Sequence, residues 1–104
     1  MNRLVATVAG CVLAAGVHAD IATDKLPACT KMVYFDQANT AKERNDPRAM
    51  QYLIDKGHCF YLKPGTEYSV IDINYPQDPT EWAKIRVYSG DGAAEVYSWY
   101  GFVK

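Results

Sequence analysis

Residues 46–62, DPRAMQYLIDKGHCFYL, carry the chain from one kind of periodicity to another. Asp46 is a favoured N-cap, and Pro47 suits the first helical position, where its missing N–H has no partner to lose. Ala49, Met50, Leu53 and Ile54 then form one apolar stripe, and Gly57 supplies the left-handed residue that ends a helix. The pattern predicts a helix from Pro47 to Lys56. Beyond Gly57 the period changes to two: Cys59 to Leu62 reads as a short strand, and Lys63-Pro64-Gly65-Thr66 as a turn.

Upstream, residues 31–45, KMVYFDQANTAKERN, predict a first helix. Met32, Phe35, Ala38 and Ala41 recur at helical spacing, with Lys42, Glu43 and Arg44 on the other side. Asn39-Thr40 is an odd pair for its middle. With the second helix it forms a short helical hairpin. Asp20 to Lys31, which contains Pro27 and no periodicity, reads as an extended lead-in to Cys29.

Downstream the chain reads as strands. Tyr68 to Tyr75 is apolar, but its alternation slips. Tyr68 and Val70 share one face, whereas Ile71, Ile73 and Tyr75 share the other, so a bulge or bend is expected near Val70. Pro76 to Glu81 is a loop. Trp82 to Tyr88 alternates with Ile85 and Val87 inward, Ser89-Gly90-Asp91-Gly92 is a hairpin turn, and Ala94 to Tyr100 returns as the last strand. The expected fold class is α+β: an N-terminal helical hairpin packed on a small antiparallel β-barrel of four to five strands.

The first residues bear on compartment. Met1-Asn2-Arg3 is a short positive start, Leu4 to Val17 is small and apolar, and Val17-His18-Ala19 ends in a small residue. This is the layout of a secretory signal peptide over residues 1–19, cleaved before Asp20 and followed by one domain over 20–104. A rival reading takes Val8-Ala9-Gly10-Cys11 as a lipoprotein box with Cys11 lipidated, although little apolar sequence precedes it. Export implies a periplasmic or secreted protein, with no transmembrane segment in the mature chain.

Removal of Cys11 leaves Cys29 and Cys59, which are expected to pair in an oxidising compartment. His58 is then the only histidine. Neighbours along a strand point to opposite faces, so His58 is poorly placed to activate Cys59 as a nucleophile. One histidine and two paired cysteines cannot supply an ordinary zinc set either, and no metal or other cofactor is expected. Removing Arg3 from the eleven basic residues leaves ten against twelve acidic ones, with no basic stripe, so nucleic acid is not an expected partner.

Gly57-x-Cys59, Leu62-x-x-Gly65-x-x-x-x-Val70, Trp82-x-Lys84-Ile85-Arg86-Val87 and Tyr97-x-Trp99 together resemble small exported bacterial proteins with an SH3-like barrel. Such proteins occur in proteobacterial genomes and their prophages. The resemblance covers about Asp46 to Phe102. It implies a barrel whose ligand face would be flanked by the proline-rich loop after Tyr75.

Asp72, Asp78, Glu81, Asp91 and Glu95 lie in the strand half, where two could form a carboxylate pair of glycosidase type, but a domain this small has little room for the required cleft. No catalytic residue is expected. Aromatic residues crowd the strand half, and Tyr97 and Trp99 share one face of the last strand while Tyr100 lies on the other. Tyr75, Trp82, Trp99 and Tyr100 are therefore candidate partner-binding residues, since Tyr and Trp bring large contact area at low entropic cost. The expected function is a non-enzymatic module that binds an envelope protein or peptidoglycan-associated ligand. Two alternatives remain: an inhibitor of a lysozyme or other wall hydrolase, with Asp91 on an inserted loop, and a prophage exclusion factor.

Overall fold

The computed structural model describes residues 20–103. The expected signal peptide, residues 1–19, and Cys11 with its lipoprotein reading lie outside them. The chain forms β1 (Asp20–Ile21), β2 (Leu26–Cys29), α1 (Met32–Glu43), α2 (Pro47–Asp55), β3 (Cys59–Leu62), β4 (Glu67–Ile73), β5 (Trp82–Ser89), β6 (Gly92–Trp99) and α3 (Tyr100–Val103). The six strands make one sheet in the order β1-β4-β5-β6-β2-β3, with every pair antiparallel. The fold is α+β, as expected, with more strands than expected.

Two corrections concern the N-terminal half. The segment read as a lead-in contains β1 and β2, and Leu26 to Cys29 is paired along its length with β3. The helical pair is thus an insertion between two neighbouring strands and does not open the domain. Pro27 hid β2 from a reading by propensity, because proline is a poor strand residue except where its missing N–H leaves no ladder bond unmade.

Both helices end as their sequences demand. Asn45 adopts φ 54°, and the N–H groups of Asn45 and Asp46 donate to the carbonyls of Lys42 and Ala41 at 3.2 and 2.8 Å. Gly57, at φ 77°, repeats the arrangement, with Gly57 and His58 donating to Ile54 and Leu53 at 3.0 and 2.9 Å. These are Schellman closures of successive helices. The Asp46 carboxylate caps α2 by accepting the Ala49 N–H at 3.2 Å.

Two connections force the sheet to curl. Laid flat, β3 and β4 would stand four strand spacings apart, roughly 19 Å. The link between them is Lys63-Pro64-Gly65-Thr66, a turn closed by the Thr66 N–H on the Lys63 carbonyl at 3.1 Å, with Gly65 at φ 93°. A turn spans under ~7 Å between its end Cα atoms, so it cannot bridge a flat sheet. Ala22, just after β1, exchanges backbone hydrogen bonds with Gly65 and Thr66 at 2.7 and 2.9 Å and laces the two sides of the half-barrel together.

The expected bulge is present. Pairing of β4 with β5 runs Val70↔Ile85 and then Asp72↔Lys84, so Ile71 is the extra residue. Its insertion lets Val70 and Ile73 both turn inward. The inner face collects Leu26, Ala28, Leu62, Tyr68, Ala83, Ile85, Val87 and Val96 into one core. Ser98, buried on the same face, donates its hydroxyl to the Pro27 carbonyl at 2.6 Å, reinforcing a β2–β6 contact that has a single register pair.

The outer face carries a second core. Cys29, Phe35, Ala38, Leu53, Cys59 and Trp99 pack together, with Met50, Trp82 and Tyr97 against them. Here the two helices lie on the sheet. The Cys29–Cys59 disulfide joins directly opposed residues of β2 and β3 across a sequence separation of 30, fastening the base of the helical insertion. None of the described helices is long and apolar enough to cross a membrane.

Candidate functional site

Trp99 comes from the end of β6, opposite Trp82 in the ladder, and both side chains stand on the outer face. Phe35 of α1 packs on the Trp99 ring at 4.7 Å between centroids, and the indole N–H donates to Asn39 Oδ1 at 2.9 Å. Asn39, out of place in a helix by propensity, is there to receive this buried donor. Trp99 is only 3% exposed. Its role is core and, at one edge, the floor of a surface groove.

That groove has a volume of about 430 Å³ and lies between the helical insertion and the outer face of β2 and β3. Trp99 is its floor, Pro27 and Tyr61 line the strand side, and Pro47 and Met50 line the helical side. Phe102 of α3 completes it, with its ring edge-on to Trp99 at 6.1 Å. Tyr61 and Phe102 are 48% and 50% exposed, so two large rings flank an apolar trough that no described residue covers.

The expected aromatic group is therefore divided. Trp82 is half-buried beside Trp99, edge-on to Tyr97 at 5.7 Å. Tyr100 turns the other way and lines an adjoining cavity of about 560 Å³ with Tyr68, Val70 and Ile73, one that shares Lys25 and Phe102 with the groove. Tyr75 is 54% exposed on the loop after β4. Asp91 is exposed at the tip of the β5–β6 hairpin, next to Gly90 at φ 55°.

Tyr61 and Phe102 were not singled out from sequence. Tyr61 stands two residues from Cys59 on β3, and period two alone puts it on the disulfide side of the sheet. Phe102 carries no such signal, because the last strand stops at Trp99 and α3 begins one residue earlier than a strand through Tyr100 allows.

The loop from Asn74 to Glu81 is tied down. Asp78 accepts the Thr80 N–H and hydroxyl at 2.9 and 2.6 Å, which holds its carboxyl below the usual range. The N–H groups of Tyr100 and Gly101 donate to Glu81 and Pro79 carbonyls at 2.9 and 3.0 Å. The loop thus braces α3, and with it the Phe102 wall.

The other carboxylates make separate local contacts. Glu95 bridges Arg86 at 2.9 Å and Lys84 at 3.3 Å, and the Arg86 hydrogen bond is the main cause of its lowered pKa. Asp72 accepts the Ile73 N–H at 2.9 Å. A carboxyl group serving as general acid needs its pKa raised, which is the opposite of the shift at Asp78 and Glu95. His58 stacks on Tyr34, ring centroids 3.7 Å apart, beside the disulfide. Among the described residues no cluster of three or more His, Cys, Asp or Glu could hold a metal ion. Comparison of the chain with protein-family models, with curated proteins and with solved structures finds no match.

Proposed function

We propose that this chain is an exported, non-enzymatic binding module of SH3-like type, holding a protein segment against the aromatic groove beneath its helical insertion. The observation that carries this reading is the exposure of Tyr61 and Phe102 on either side of an apolar floor. Both rings are left at the surface, where aromatic anchors do most of the work of recognition. The curled antiparallel sheet and the disulfide suit a small module working in an oxidising compartment. The loop after β4 reaches the groove only indirectly, through its backbone hydrogen bonds to Tyr100 and Gly101 at the start of the helix that carries Phe102.

A second reading, an inhibitor of a wall hydrolase, draws on the β5–β6 hairpin. Its ladder is continuous from Trp82↔Trp99 to Ser89↔Gly92, so the Gly90-Asp91 tip is held rigidly and exposed. One set of variants separates the two. The oxidised chain, immobilised, is used to capture partners from an envelope extract and to pellet with washed peptidoglycan sacculi. The groove reading expects the Tyr61→Ala/Phe102→Ala double variant to lose what the native chain retains, while Asp91→Ala keeps it. The inhibitor reading expects the reverse, with loss of hydrolase inhibition on Asp91→Ala. Circular dichroism checks that each variant remains folded.

A further inference from the structure

We infer that the groove selects an extended protein segment carrying a large apolar side chain flanked by carboxylates, an inference that rests on the groove being the binding site. Two lysines line it. Lys25 Nζ lies over the Tyr61 ring at 6.0 Å from its centroid, and Lys42 Nζ lies over the Phe102 ring at 5.8 Å. Each exposed ring therefore bears a cation, one beside β2 and one at the end of α1. Among the described residues neither lysine is in an ion pair: the pairs formed join Lys84 and Arg86 to Glu95.

The acidic group within the groove does not neutralise them. Asp46 accepts the Ala49 N–H, so its carboxylate is directed at the N-terminus of α2. There the helix dipole favours a negative charge and holds it. Two cations in no ion pair among the described residues, set on rings that flank an apolar trough, match a ligand with apolar and acidic groups in alternation. The lysine stems add apolar surface beside the rings, while their ammonium groups stay free to meet carboxylates from a partner. The chain as a whole is slightly acidic, so its net charge does not itself draw an acidic ligand to the groove.

The test uses the oxidised chain and three labelled pentapeptides, blocked at both ends: Glu-Glu-Trp-Glu-Glu, its Gln-Gln-Trp-Gln-Gln counterpart, and Glu-Glu-Ala-Glu-Glu. Fluorescence anisotropy gives the affinities at low and at high salt. The first peptide is expected to bind best. Lys25→Gln/Lys42→Gln is expected to weaken it about tenfold, the scale of two partly exposed charge pairs, and to weaken the glutamine peptide much less, through the shortened stems alone. High salt should reproduce much of that loss.

Equal binding of the glutamate and glutamine peptides, abolished by Tyr61→Ala/Phe102→Ala, would leave the groove as the site and overturn its acidic selectivity. Binding that survives the Tyr61/Phe102 double variant would overturn both readings together. If no peptide binds, and sacculi are retained only when Lys25 and Lys42 are present, the carboxylates recognised belong to the wall, and the assignment to a protein segment fails.

Discussion

Inside the curl of the sheet, Ala83, Ile85, Val87 and Val96 meet across the β4–β5 and β5–β6 ladders, and Leu26 joins them from β2. Outside it, Trp99, Phe35, Leu53 and the disulfide form a core whose helical half arrives from an insertion between β2 and β3. The inner core is mainly aliphatic, with Tyr68 its buried ring, and is specified by alternation along the strands apart from the slip at Ile71. The outer core is aromatic and depends on long-range closure, through one covalent link and one buried indole hydrogen bond. The candidate binding groove belongs to the outer core. Recognition as proposed would thus rest on the part of the molecule held by few, specific fastenings, and a loss there would affect both stability and binding.

The largest break in that comparison is expected from Trp99→Ala, which empties the outer core and removes the groove floor. Its cost should be about 3–5 kcal/mol by chemical denaturation, in line with other buried aromatic truncations. Removing the staple with Cys29→Ala/Cys59→Ala follows closely. Opening a loop of this length costs about 3.5–4 kcal/mol in the chain-entropy model. A double-mutant cycle sharpens the contrast: loss of the staple should be non-additive with Trp99→Ala, yet additive with Ile85→Val on the inner face to within about 0.5 kcal/mol. Additivity at Trp99 would show that the insertion does not depend on the disulfide.

A smaller effect isolates the indole fastening. Asn39→Ala leaves the buried Trp99 N–H without its acceptor, and a loss of about 1–3 kcal/mol is expected from equilibrium unfolding. Exchange of the indole proton should quicken in the same variant, which an effect on helix propensity alone would not produce.

The smallest effects are those of pH, and they fall at opposite ends of the scale. Burial raises the Tyr68 pKa, with the Asp20 charge adding to it, and its hydroxyl donates to the Val103 carbonyl at 3.4 Å. Its contribution is present below the unfolded value, about 10, and is lost as pH rises through the higher folded value. The lowered pKa values of Asp78 and Glu95 act in the other sense. Their stabilisation is present above the unfolded carboxylate range, about 4, and disappears as pH falls through the folded values. Melting temperature against pH should therefore decline at both extremes. Tyr68→Phe should flatten the alkaline limb alone, and Asp78→Asn the acid limb alone.

Local chemistry made much of this legible. Asp46 and Pro47 opening α2, Gly57 closing it, the slip in phase near Val70 and the Gly90-Asp91 turn each act through their own backbone or nearest neighbours, and each is found where the sequence places it. The Cys29–Cys59 pairing followed from counting cysteines, with no geometry required. By contrast, β1 and β2 carry weak strand signals and exist because neighbours distant in the chain offer them a ladder.

The candidate site divides along the same line. That Tyr97 and Trp99 share one face and Tyr100 lies on the other could be read from alternation along β6, and Trp82 stands opposite Trp99 in the ladder. Which ring is buried and which is left at the surface could not. Trp99 lies beneath α1 because the insertion folds back over it, and Phe102 comes beside it because the chain turns into α3 at Tyr100. Periodicity assigns a side chain to a face. Only the packing of separate elements decides whether that face is covered, and here it covered the tryptophan and left Tyr61 and Phe102 open.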